Sequence, residues 1–131
     1  MNSRLRASVT PSTVDKIMEL GMVAHPNEAC GVILPDNTLV EISNIAKHPT
    51  WSYILDPAGF TNALNGYLQK PDSRGDELYM DSIIIWHTHP GGVVGPSDGD
   101  KAEMIGDLRY LVVTLPSGEA IEFTAKDFND D

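Results

Sequence analysis

The run Ile83-Ile84-Ile85-Trp86 is apolar at every position and passes directly into His87-Thr88-His89-Pro90. A strand that is apolar on both faces belongs inside a sheet with a layer packed against each side. The strand is read over Tyr79 to Trp86, with the two histidines at its end. Side chains alternate between faces along a strand, so His87 and His89 share one face while Trp86 and Thr88 take the other. Pro90 has no N–H to continue the ladder, which leaves both imidazoles together at a rim.

The remaining elements supply the covering layers. Val14, Ile17, Met18 and Met22 recur at helical spacing after Pro11-Ser12-Thr13 and stop at His25-Pro26, predicting a helix over about 11–24 capped by Thr10 or Ser12. Ala29 to Leu34 and Thr38 to Ile42 read as a hairpin turning at Pro35-Asp36-Asn37. Asp56-Pro57 offers an N-cap and a first-turn proline to a second helix bearing Phe60, Leu64, Tyr67 and Leu68. Lys70 to Glu77 is a polar loop, and Ser97 to Gly106 a short helix. Tyr110 to Leu115 and Ala120 to Thr124 form a closing hairpin around Pro116-Ser117-Gly118. The order helix, hairpin, helix, strand, helix, hairpin describes an α/β domain, a mixed central sheet flanked by helices. No Gly-rich loop leads from a strand into a helix, so nucleotide-type cofactors have no support.

Composition narrows the function classes. The 131 residues suffice for one domain, and 41% hydrophobic residues suffice for its core. The formal charge of −10, concentrated in the middle and tail without a Lys/Arg cluster, would repel a phosphate backbone and argues against nucleic acid. Cys30 is the single cysteine, so no intrachain disulfide or multi-cysteine zinc cluster can form. No apolar run approaches the ~20 residues that cross a bilayer, and Arg4 and Arg6 precede no hydrophobic stretch of a secretory signal. A cytoplasmic protein without membrane partners is expected.

Two neutral imidazoles on one strand face are a natural start for a metal site. Asp100 falls eleven residues after His89, in the first turn of the Ser97 helix, where its carboxylate can close back as a third ligand. Three protein ligands and an open position describe a catalytic zinc rather than a structural one. The same tetrapeptide, Ser97-Asp98-Gly99-Asp100, also reads as a capping box. Asp98, Asp100 and Glu103 lack the glycine and terminal glutamate spacing of a calcium loop. His25 and His48 have no partner two residues away and read as loop residues.

His87-x-His89-Pro90, followed by Pro96-Ser97 and Asp100, resembles the signature of the JAMM metalloproteases, the catalytically competent branch of the MPN (JAB) family. The resemblance extends to Pro26 through Leu34 and to Asp56-Pro57 with Phe60, about residues 11–125 in all. It implies a single MPN domain over 1–131 with a cytidine-deaminase-like α/β fold. It also implies one Zn²⁺ per domain held by His87, His89 and Asp100, and it picks Glu28 out of seven glutamates as general base towards water on the metal. Ser97 would then donate to the oxyanion, and Cys30 would be a small buried strand residue.

The activity so implied is hydrolysis of a peptide or isopeptide bond. At this length the chain is similar to the minimal prokaryotic and phage members rather than to the insertion-bearing deubiquitinating enzymes. The implied substrate is a ubiquitin-like protein, as for bacterial enzymes that trim sulfur carriers, or a phage tail assembly protein. Gly91-Gly92 after the His-x-His-Pro and the short closing hairpin lean towards the phage group, where a cell-wall hydrolase domain usually accompanies the peptidase. The rival from another class is a non-enzymatic MPN scaffold, which typically lacks one or more of these ligands.

Overall fold

The structure, a computed structural model, describes residues 9–69, 82–102, 104 and 108–128. Helix α1, Pro11–Ala24, begins at Thr10, whose hydroxyl oxygen accepts the Thr13 N–H at 3.2 Å, so Thr10 and not Ser12 is the cap. Strands β1 (Cys30–Ile33) and β2 (Leu39–Ile42) form the expected hairpin, with Asn37 in the turn at a φ of 70°. Helix α2, Pro57–Leu68, starts at Asp56, whose carboxylate accepts the Ala58 N–H at 3.1 Å. Strand β3 spans Ile84–His89, helix α3 Asp98–Ala102, and strands β4 (Arg109–Thr114) and β5 (Ala120–Phe123) close the sheet before a 3-10 turn at Ala125–Phe128.

The five strands lie in the order β2-β1-β3-β4-β5. Only β3 and β4 run parallel, joined through α3, so the sheet is mixed. β3 is central and buried along its whole length. Odd-numbered Ile83 and Ile85 pack with Val32, Val112 and α2 residues Phe60 and Leu64 on one face. Even-numbered Ile84 and Trp86 pack with Ile17 of α1, Leu111 and Val113 on the other. The alternation continues through the histidines and places them on the α2 side.

Two boundaries differ from the sequence reading. β3 runs through His89 rather than ending at Trp86, because a neighbour on each side extends the ladder: Cys30 and Val112 flank His87, and the Leu115 N–H donates to the His89 carbonyl at 3.0 Å. His87 is consequently wholly buried instead of lying at a rim. The helix read over Ser97–Gly106 is a shorter one ending at Ala102, and Met104 is not helical. The polar loop 70–77 and the expected strand residues 79–81 lie outside the described residues.

Gly21 sets how closely α1 approaches the sheet. A Cβ built there would stand 2.7 Å from Leu115 Cδ1 and 2.9 Å from Thr88 Cγ2, so any side chain would force Leu115, Thr88 or the helix itself to shift. Among the described residues no helix is long and apolar enough to cross a membrane.

Candidate metal centre

The centre forms where β3 ends against α3. His87 Nε2 and His89 Nε2 lie 3.2 Å apart, and Asp100 Oδ2 sits 3.1 Å from the first and 3.0 Å from the second. Three atoms that carry lone pairs thus converge on one point. His89 is oriented from behind by a contact of 3.1 Å between its Nδ1 and the Val93 carbonyl, which also accepts the Thr114 hydroxyl at 2.8 Å. His87 is held by stacking on Tyr53, with ring centroids 4.3 Å apart, while its buried Nδ1 has no hydrogen-bond partner among the described residues.

Asp100 is fixed by the start of its own helix. The Ser97 hydroxyl oxygen accepts the Asp100 N–H at 3.0 Å, and Asp100 Oδ2 accepts the Ser97 N–H at 2.9 Å. This reciprocal pair is a capping box with aspartate in the glutamate's place. Capping and convergence on the histidines use the same carboxylate oxygen, so the two readings of Ser97-Asp98-Gly99-Asp100 are one arrangement.

Glu28 enters from the residues just before β1, on the same face as Cys30 and Val32. It offers a carboxylate oxygen within 4.8 Å of donor atoms on His87 and His89, and these three buried residues form a group that could hold a metal ion. Its buried Oε1 has no hydrogen-bond partner among the described residues, an arrangement that a cation or its water would complete. Its backbone is clamped twice: the Glu28 N–H donates to the Pro49 carbonyl at 2.7 Å, and Asn44 Nδ2 donates to the Glu28 carbonyl at 3.0 Å. Asn44 also donates to the Ser52 carbonyl and accepts the N–H groups of Ala46 and Ile54, fastening the 45–54 loop to the glutamate.

Charge is distributed unevenly among these groups. Burial would raise the Asp100 carboxyl, but hydrogen bonds with His87 and His89 outweigh it and hold Asp100 well below the usual carboxylate range. Burial lowers His87. His89 is pulled down by burial yet ends raised, because Asp100 bonds to it and attracts its positive form. Burial pushes Glu28 up to about 7, with His89 opposing and Asp100 reinforcing. A carboxyl group titrating near neutrality beside two imidazoles can exchange protons at physiological pH.

All five residues singled out from the sequence meet here, and His25 and His48 stay apart: His25 ends α1 and His48 stacks on Trp51. Cys30 is buried, donates weakly to the Ile42 carbonyl at 3.4 Å, and burial raises its thiol to about 12, far from a nucleophile's range. Sequence reasoning did not find Tyr53, Asn44 or Val93. The first two sit on an irregular loop, where no periodicity marks a contact across the sheet.

Two cavities open beside the centre. One of about 200 Å³ is lined by Glu28, His89, Gly91 and Val93, and one of about 500 Å³ by Tyr53, Leu55, Ile85 and Tyr110; both include Trp51 and Ser97.

Comparison with known proteins fits this picture. The family described as prokaryotic homologs of the JAB domain matches residues 10–126. The chain is also similar to tail tip assembly protein K of Escherichia phage N15, 26% identical over 111 residues that cover 82% of this chain and 40% of that protein. The chain therefore spans well under half the length of that curated relative. With the match running from the start of α1 to the end of the sheet, the chain belongs to the family of prokaryotic homologs of the JAB domain.

Proposed function

We propose that this protein is a zinc-dependent metallohydrolase that cleaves a peptide or isopeptide bond in a protein substrate. The observation that carries the reading is the triangle of His87 Nε2, His89 Nε2 and Asp100 Oδ2, with edges of 3.0 to 3.2 Å, faced by the Glu28 carboxylate, whose Oε1 has no hydrogen-bond partner among the described residues. Tetrahedral zinc with ligand bonds of ~2.0–2.1 Å separates its ligand atoms by ~3.3–3.4 Å, so a slight spreading of the triangle accommodates it. Two nitrogens and one carboxylate oxygen favour zinc over magnesium or calcium. His87, His89 and Asp100 would hold the ion, and Glu28, set further out, would remain free for proton transfer. When bound, zinc supplies Lewis acidity towards water and the substrate carbonyl.

The chain's own groups supply the rest. Glu28, raised towards neutrality by burial, takes the proton of the attacking water and delivers it to the departing amine. The Ser97 oxygen already accepts the Asp100 N–H, leaving its hydroxyl hydrogen to donate to the developing oxyanion. Val93 and Tyr53 keep the imidazoles aimed, so little reorganisation is needed during turnover. The domain is read as one unit acting in the cytoplasm of a bacterium or an infected cell. The phage relative's name supports a tail assembly protein as substrate or partner, ahead of a ubiquitin-like sulfur carrier.

The test joins metal analysis with hydrolysis. One zinc per purified chain, with cleavage of a mixed peptide library or of co-expressed tail proteins lost in Glu28→Gln at unchanged zinc content, is the expected result. A metal-free protein, or cleavage indifferent to Glu28→Gln, would sink the hydrolase and leave a scaffold.

A further inference from the structure

The cavities on either side of Trp51 and Ser97 differ in chemistry. The smaller holds Glu28 and His89, the groups assigned above to bond cleavage. The larger is walled by aromatic and aliphatic side chains, among them Tyr53, Leu55, Ile85, Leu108 and Tyr110. Its volume of about 500 Å³ falls in the range of ~300–1,000 Å³ typical of sites that enclose an organic ligand. Asp100 is the one charged residue among its described lining, and its Oδ2 is committed to His87, His89 and the Ser97 N–H. A charged side chain entering the pocket would lose its water among mostly apolar walls, with Asp100 Oδ2 already engaged, whereas an apolar one would gain by leaving water.

Trp51 stands at the junction. It is 67% exposed, while Trp86 is fully buried in the core. His48 stacks on its ring at 4.9 Å, and the Trp51 backbone N–H donates to the His48 carbonyl at 3.2 Å. The loop carrying both is fastened to Glu28 through Asn44. An indole kept in water yet held in place is preorganised to be covered by a partner.

We infer that the larger cavity is a recognition pocket for a bulky uncharged side chain, aromatic or large aliphatic, flanking the bond presented to Glu28, and that the substrate chain crosses between the pockets over Trp51. This rests on the hydrolase reading and adds the substrate class that the site selects.

The experiment has a binding arm and a cleavage arm. In the binding arm, zinc-loaded Glu28→Gln protein is titrated with N-acetyl-phenylalaninamide, N-acetyl-leucinamide and N-acetyl-aspartamide, following amide resonances of Gly99 in the larger cavity and Gly91 in the smaller. The phenylalanine and leucine probes are expected to shift Gly99 at concentrations at least tenfold below the aspartate probe. Trp51→Ala should erase most of that difference, and the blue shift of tryptophan emission on binding should vanish with it. Equal shifts from all three probes, or none at Gly99, overturn the pocket. In the cleavage arm, the zinc-loaded wild type digests a peptide library, and enrichment of large apolar residues beside the cut is expected. Cleavage without that enrichment overturns the pocket while leaving a hydrolase. Probe binding at Gly99 with an uncut library upholds the pocket and removes the hydrolase.

Discussion

Ala29, just before β1, and Thr88 of β3 clasp one another: the Ala29 N–H donates to Thr88 Oγ1 at 2.9 Å, and the Thr88 N–H donates to the Ala29 carbonyl at 3.0 Å. Thr88 sits between the two histidines and Ala29 directly follows Glu28. The clasp therefore fixes the distance between the strand that brings the imidazoles and the segment before β1 that brings the buried carboxylate.

Thr88→Val keeps the shape and removes the hydroxyl, leaving a buried Ala29 N–H without its acceptor. The loss should cost about 1–3 kcal/mol in urea unfolding. Thr88→Ser, which keeps the oxygen, should recover most of it. Because Glu28 moves with Ala29, the valine variant should also lose hydrolytic rate at saturating zinc, and a variant less stable yet fully active would detach the clasp from the site.

Glu28 makes the metal-free protein sensitive to alkali in a predictable direction. Its carboxyl titrates at about 7 in the folded chain against 4.5 for the free residue, so the native state binds this proton more tightly than the unfolded state. The stability it contributes is full below pH 4.5 and is lost as pH rises through about 7. Glu28→Gln carries no such charge. In EDTA it should exceed the wild type at pH 8 by on the order of 2 kcal/mol, with the gap closing towards pH 4.5. Urea midpoints across that range measure the gap directly, and a constant difference would refute the assignment.

The legibility of this molecule in its sequence follows the range of its contacts. α1, α2 and both hairpins are announced by local signals, such as Asp56-Pro57 and the turn at Asn37, and they stand where those signals put them. The end of β3 carries no such local signal, because its length depends on Cys30 and Val112, partners far away in sequence. His87 and His89 were legible through strand alternation and Asp100 through its helix start. Glu28 was not: among seven glutamates nothing local marks the one whose burial raises it, and only a family resemblance selected it. The supporting Asn44, Tyr53 and Val93 act through the fold alone.

Asn44 joins Glu28 to the 45–54 loop, and all four of its amide hydrogen-bond positions are used. Asn44→Ala strands two carbonyls and two N–H groups, so a loss of about 2–4 kcal/mol is expected, with water taking up part of the deficit. Asn44→Asp keeps the acceptors towards Ala46 and Ile54 but forfeits both donors. It should free Ser52 and the Glu28 carbonyl while sparing the far side of the loop. Amide hydrogen exchange would show faster exchange over 45–54 in the alanine variant, with Ala46 and Ile54 still protected in the aspartate one.

Cys30 offers a last check on which groups carry chemistry. It faces the α2 side of the sheet opposite His87, close enough to the centre to invite a thiol mechanism, yet it is fully buried and burial raises it to about 12. At pH 8 the thiolate is then a negligible fraction, and the native protein should resist iodoacetamide and disulfide-exchange reagents for hours while the urea-unfolded chain reacts at one thiol per chain. Cys30→Ala removes the sulfur and its weak bond to Ile42, at a cost of about 1 kcal/mol in unfolding. It should leave zinc content and hydrolysis close to wild type. Rapid native alkylation, or loss of turnover in Cys30→Ala with zinc still bound, would shift the nucleophile from water to sulfur.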